Sequence, residues 1–212
     1  KNVDLVACQN AITQKAFIGK YQFDNVVLLP FYRVCPKPNR VEPKIYDLCY
    51  ISLAHPHKNH RVLFDALLIL GMKGVNVSVV VTIEESQLDL IRYLNYINEV
   101  CDIQIINIGS VAKNTVCDIL ERTKCAIFPS LYESYGLGLI EATEMGLDVI
   151  AADLPYTHEV ISTPFLFDPM SANSCANTIA KYLDSRSPCQ CTNISQNKVD
   201  DLINEIIGIT YV

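Results

Sequence analysis

Two glutamates eight residues apart, Glu133 and Glu141, bracket a glycine-rich turn in the stretch FPSLYESYGLGLIEATEMG, which runs from Phe128 to Gly146. Gly136 and Gly138 carry no Cβ, so backbone there can approach a ligand closely. The start of a helix offers N–H groups without partners, and these suit phosphate. A carboxylate beside an anion site is out of place unless it addresses something other than the anion. Sugar and ribose hydroxyls qualify, because an ionised carboxylate accepts two hydroxyl donors at once. The implied ligand has one phosphate part and two polyol parts, a description that a nucleotide sugar fits. Spacing alone also admits a plainer reading, with Glu133 a solvated loop acid and Glu141 a partner of the helix dipole.

A second group of candidate residues is YISLAHPHKNH, with three histidines in six residues. His55, His57 and His60 flank a proline and a helix start, with no carboxylate nearby, so no metal is expected there. Cys189 and Cys191 form the one close cysteine pair and lack a second pair at zinc-site spacing. Asp153 and Glu159 surround LPYTHE, where Asp153 and Pro155 read as a helix start, with the aspartate capping it.

These residues need elements to hold them. Residues 1–32 read as strand (VDLVAC), helix (NAITQKAFIGKY) and strand (NVVLLPF). RVCPKPNRVEP follows, and its prolines exclude helix or central strand; the expected boundaries are a first piece at 1–32, a linker at 33–45 and a main domain at 46–212. From there the chain alternates short doubly apolar runs (YDLCYISL, NVSVVVTI, IQIINIG, CAIFPS, LDVIAAD, PFLFD) with segments of helical period. That alternation predicts an α/β fold, a Rossmann-like parallel sheet with helices on both faces. In such sheets ligands gather at the carboxyl ends of strands, where every motif above falls. The tail NISQNKVDDLINEIIGI reads as one more helix.

Composition narrows the classes. The 212 residues are 50% hydrophobic and 19% charged, with a net charge of −6 and no basic block, so neither nucleic acid nor a membrane surface is indicated as a partner. The apolar runs are far shorter than the roughly 20 residues a bilayer span requires. Most of the nine cysteines sit inside apolar runs, which reads as reduced, buried thiols in a cytoplasmic protein. The chain opens on Lys1, and the expectation is a part of a longer protein. A dinucleotide-dependent oxidoreductase is disfavoured, since the first strand after the linker lacks a G-x-G-x-x-G turn.

The stretch PSLYESYGLGLIEATEMGLDVIAADLPYTHEV resembles the donor-binding domain of retaining glycosyltransferase family 4, of GT-B fold, and the likeness extends from about Tyr46 to Tyr182. The resemblance implies that Glu133 lies by the transferred sugar and Glu141 holds the ribose hydroxyls. Ser134, Tyr135, Gly136, Leu137 and Gly138 would lie by the diphosphate and sugar. Lys58-Asn59 is similar to the family's Lys-Gly or Lys-Asn pair, whose lysine neutralises the diphosphate, with His57 beside it. The family's arginine is replaced by Leu53, which leaves one cation fewer. The implied activity is transfer of a sugar from a UDP- or GDP-linked donor to a glycan or lipid-linked acceptor in bacterial surface polysaccharide assembly. No metal or cofactor is implied. Residues 1–32 would be the remnant of an acceptor lobe, and the full-length protein could attach peripherally to the inner face of the membrane. The competing reading is a silent binding module that kept the fold and lost the chemistry with the arginine.

Overall fold

The computed structural model describes residues 3–32, 43–185 and 191–210. Most of the proline-rich linker, and Cys189 of the close cysteine pair, lie outside the described residues. The chain begins with β1 (Val6–Cys8), α1 (Ala11–Tyr21) and β2 (Val26–Leu28), a parallel strand–helix–strand unit that forms its own two-stranded sheet. Asn10 starts α1 by accepting the Thr13 N–H on its side-chain oxygen.

The main domain is built on β3 (Tyr46–Tyr50), β4 (Val77–Val81), β5 (Ile103–Asn107), β6 (Thr123–Phe128), β7 (Asp148–Ala152) and β9 (Phe165–Phe167), interleaved with α2 (His60–Met72), α3 (Leu88–Val100), α4 (Lys113–Glu121), α5 (Leu137–Glu144), α6 (Pro155–Val160) and α7 (Ala172–Asp184). The six strands form one all-parallel sheet in the order β5-β4-β3-β6-β7-β9. Leu48, Val79, Ile127 and Ile150 are each fully buried, as strands covered on both faces require. α2 packs on α3 and α7, and turns Leu63, Ala66, Leu67 and Leu70 into the core. The α/β fold expected from the alternation is therefore present, with its parallel sheet flanked by helices.

Strand order locates the site. The chain starts at β3, adds β4 and β5 on one side, then crosses to β6 and adds β7 and β9 on the other. The order therefore reverses between β3 and β6, and the loops leaving their carboxyl ends diverge there and open a crevice.

Two local expectations need correction. The tail is not one helix. A short strand β10 (Thr192–Asn193) pairs antiparallel with β8 (Ile161–Ser162), and α8 (Val199–Thr210) begins only after it. Asn193 is the reason, since its side-chain oxygen accepts from both the N–H and the hydroxyl of Ser195. Such a turn draws the backbone away from helix. Nor does Asp153 cap α6. The capping position is Leu154, with Pro155 in the first turn, and the Asp153 carboxylate instead meets His158 Nε2 at 2.7 Å.

The cysteines behave as apolar packing. None of the seven described forms a disulfide, and burial pushes the Cys49 and Cys175 thiols up to about 12, so neither is a nucleophile near neutral pH. Cys191 is buried on β7, where its sulfur accepts the Val149 N–H.

Candidate functional site

The crevice holds a cavity of about 190 Å³ lined by residues from three places. Tyr50, Ile51 and Ser52 come from the end of β3, Phe128 from the end of β6, and Gly136 to Leu139 from the start of α5; Lys58 and Glu133 project from the two connecting loops. Lys58 Nζ donates to both carboxylate oxygens of Glu133, at 2.7 and 2.8 Å, and both side chains are mostly shielded from water. Seventy-five residues separate them in sequence, and the strand reversal brings them together. Among the described residues lining this cavity, Lys58 is the one basic side chain.

Local backbone geometry explains how Lys58 is aimed. Pro56–Lys58 form a single 3-10 turn, and Asn59 follows at φ 55° in the left-handed region before α2 starts. Glycine and asparagine are the residues that tolerate that conformation. The Lys-Gly or Lys-Asn pairing noted in the sequence thus has a steric cause. Asn59 also donates to the carbonyls of Pro129 and Pro169, which ties the loops after β6 and β9 to the lysine turn. His57 O accepts from Leu131 N at 2.7 Å and closes the same junction.

Beneath the pair, the Tyr50 hydroxyl donates to Lys58 O at 2.7 Å and lies 3.1 Å from Ser130 Oγ; Tyr156 OH donates to Ser130 O. Burial pushes the Tyr50 phenol well above its ordinary range, so it stays a neutral donor. Tyr50→Phe is expected to cost roughly 1–3 kcal/mol of stability, because the Lys58 carbonyl and the Ser130 hydroxyl lose their buried partner. Urea unfolding of the two forms checks it.

The turn after Glu133 leaves backbone donors without partners. Gly136 sits at φ 87° as the residue before α5, a conformation that selects glycine. Among the described residues, the N–H groups of Tyr135, Gly136, Leu137 and Gly138 make no hydrogen bond. Gly138 serves packing as well as approach, since a Cβ there would stand 2.8 Å from Phe128 Cε1. Gly146 ends the helix at φ 76°. Asn10 Nδ2 donates to Ser134 O and so links the first strand–helix–strand unit to this loop.

Glu141 lies one helical turn further along α5 and faces a second, larger cavity of about 630 Å³. Gln9, Phe31 and Tyr32 of the first unit, Ile140, and Asn197 and Val199 near α8 line it. Lys113, at the first residue of α4, reaches Glu141 at 3.3 Å. Leu137 lines both cavities, which makes them neighbours.

The structure thus gathers Lys58, Glu133, Ser134, Gly136, Leu137 and Gly138 around one cavity and sets Glu141 at the next. Two candidates point elsewhere. The Tyr135 ring is buried against Tyr32, so only its backbone is available. The His57 ring is stacked between His55 and Tyr132. Leu53 is exposed, and no arginine lines either cavity among the described residues. Sequence reasoning missed Tyr50, Asn10 and Lys113. Nothing in their spacing marks them, since each acts through a partner more than twenty-five residues away or, for Tyr50, through a backbone atom. Among the described residues no group of three histidine, cysteine, aspartate or glutamate side chains is placed to hold a metal ion.

Residues 36–200, which include the whole crevice, match the family described as glycosyl transferases group 1. The chain belongs to that family. Solved glycosyltransferases share its fold at low identity. TarM, known from S. aureus, superposes with a TM-score of 0.69 at 20% identity, over 86% of this chain and 37% of its own. Anabaena HepE, solved with UDP and glucose, gives 0.65 at 17% identity, over 86% of this chain and 54% of its own. The pneumococcal O-GlcNAc transferase GtfA, solved with UDP and GlcNAc, gives 0.64 at 18% identity, over 87% and 39%. The fold is that of a GT-B glycosyltransferase domain, and the chain spans about two fifths to one half of the length of these three proteins. No curated protein sequence matches it. No helix among the described residues is long and apolar enough to cross a membrane.

Proposed function

We propose that this group 1 domain is the donor-binding half of a retaining glycosyltransferase of family 4, which moves a sugar from a UDP- or GDP-linked donor to a glycan or lipid-linked acceptor. The observation that carries the reading is the crevice where strand order reverses. There Lys58, the unpartnered N–H groups of Gly136, Leu137 and Gly138, and two carboxylates belong to residues that line adjoining cavities. Phosphates suit the cation and the N–H groups. Glu133 and Glu141 then each take a pair of hydroxyls, one on the transferred sugar and one on the ribose. In the structure Lys58 and Glu133 neutralise each other. An arriving diphosphate competes for Lys58, which releases the Glu133 oxygens to accept sugar hydroxyls. As the sugar–phosphate bond breaks, negative charge grows on the leaving diphosphate, and the ammonium and the helix N–H groups stabilise it. A divalent ion has no necessary part in this scheme.

The first strand–helix–strand unit is read as the remnant of an acceptor-binding lobe, and assembly of bacterial surface polysaccharide as the setting, at the inner face of the membrane. Titration of UDP, GDP and ADP into the chain, beside Glu141→Ala, tests the donor assignment. UDP or GDP should bind, and Glu141→Ala should weaken that binding about tenfold, the value of one charge-assisted hydrogen bond. Equal binding by the variant would remove Glu141 from the ribose. Retention is tested on the two-lobed protein by the anomeric configuration of the product; inversion would overturn it.

A second reading rests on Leu53, an exposed apolar side chain where the resemblance places an arginine. It makes the domain a nucleotide-binding module without transfer activity. Transfer by the two-lobed protein that is lost in Lys58→Ala excludes it.

A further inference from the structure

The rim of the crevice carries a stack of three aromatic rings that the donor scheme leaves unused. His55 and His57 lie with ring centroids 5.8 Å apart and planes 12° from parallel; His57 and Tyr132 follow at 4.6 Å and 27°. The stack joins the loop after β3 to the loop after β6, and the Leu131-to-His57 backbone bond and the Asn59 bridge to Pro129 hold the two loops in register. Tyr132 ends the stack. One face of its ring rests on His57, yet the residue is 61% exposed, so the opposite face looks into solvent. Two of the three rings are one residue from the central ion pair, His57 before Lys58 and Tyr132 before Glu133. Leu53 and Leu131, both exposed, belong to the same two loops.

We propose that Tyr132, backed by His57 and His55, is a stacking platform for a pyranose ring of the acceptor glycan. The inference rests on the donor reading above, which puts the transferred sugar at Glu133. Aromatic side chains take the apolar C–H face of a sugar against the ring while hydroxyls at the sugar edge stay hydrated or meet polar atoms. A rigid, pre-stacked ring loses little freedom on binding. A carbohydrate fits better than a lipid chain, because the stack is made of two imidazoles and a phenol and an acid follows directly at Glu133. The platform stands beside the cavity and its rings do not line it, so an acceptor there would approach the transferred sugar from the open side.

The chain contains no tryptophan. Tyr132→Trp therefore keeps a stacking ring and creates a lone tryptophan at the platform, which is excited selectively at the red edge where the remaining tyrosines do not absorb. Methyl α-glucoside, methyl α-galactoside and methyl α-N-acetylglucosaminide are titrated into it up to about 100 mM, and anionic phospholipid vesicles are titrated separately. At least one glycoside should shift the emission saturably. In the unaltered chain, followed by NMR line broadening of that glycoside, Tyr132→Ala should weaken binding roughly threefold to tenfold and His57→Ala by less. No saturable response to any glycoside, equal binding by Tyr132→Ala, or a response to vesicles alone would each overturn the platform. UDP titration of the unaltered chain reports separately on the donor reading. Glycoside binding without UDP binding would fail that reading and leave a sugar-binding rim. UDP binding without glycoside binding would fail only the platform.

Discussion

On the donor-binding role proposed above, Lys58→Ala in a two-lobed protein carrying this domain is expected to lower kcat for sugar transfer by about two to three orders of magnitude, the usual cost of removing one donor aimed at developing charge. The size follows from what surrounds the lysine. It is the one cation among the described residues lining its cavity, and Leu53 supplies none. Ground-state binding of the nucleotide should weaken much less, because the N–H groups from Tyr135 to Gly138 and the Glu141 carboxylate are untouched by the change. A loss in kcat that exceeds the rise in KM therefore separates transition-state stabilisation from simple anchoring. Lys58→Arg should recover only part of the activity, since the turn at Asn59 and the bidentate contact with Glu133 fix where a compact ammonium sits. Fold stability needs a control. Both side chains are mostly shielded from water, so loss of the lysine leaves Glu133 without its partner and should lower the melting temperature. Rates are therefore compared at a temperature where both forms are folded. Transfer that survives Lys58→Ala at more than about a tenth of the original rate would remove the lysine from the chemistry.

Much of this site was legible in the sequence because its main parts are local. The glycine turn, Glu133 and the start of α5 occupy one stretch, so spacing put backbone donors beside a carboxylate while leaving open that the acid was merely solvated. The alternation of doubly apolar runs with helical segments gave the parallel sheet, and that put each motif at a strand's carboxyl end. What spacing did not show was pairing across the reversal of strand order. Nothing within either motif says that Lys58 and Glu133 share two hydrogen bonds, or that Tyr50 holds the lysine's carbonyl from below. The histidine cluster was divided by three-dimensional context alone. His55 and His57 went to an aromatic stack at the rim, while His60, three residues on, was swallowed by the core. Helix periodicity could not have separated them, since a single 3-10 turn and a left-handed Asn59 intervene. Asp153 was misread as a cap for a similar reason. Sequence places an acid near Pro155, but the extended Leu154 takes the capping position and leaves Asp153 to reach His158.

His60 makes the domain acid-sensitive, and the expected loss is on the order of 3 kcal/mol between about pH 6.5 and pH 4. The side chain is 3% exposed, its ring lies 4.6 Å from that of Tyr50 and 6.5 Å from that of Phe64, and neither ring nitrogen has a hydrogen-bond partner in the structure. Burial lowers its pKa from 6.5 to about 4, and the positive charge of Lys58 acts in the same direction. In this window the unfolded chain takes up a proton that the folded chain refuses, so acid favours unfolding and stability rises with pH until about 6.5. Burial pushes the Asp47 carboxyl up, but bonds from Lys124 and Ser78 outweigh it and hold the group below its ordinary value, so its contribution is lost only below about pH 4. His60→Phe keeps a ring between Tyr50 and Phe64 and removes both unpartnered nitrogens. Its stability should therefore exceed that of the unaltered domain at pH 8 by roughly 1 kcal/mol, the benefit of losing an unsatisfied buried polar group less some crowding. At pH 4.5 the gap should be wider, because the variant has no imidazole to protonate. Urea unfolding at the two pH values measures both quantities. A gap that does not widen on acidification would show that His60 finds solvent or a partner, and that the sensitivity lies elsewhere.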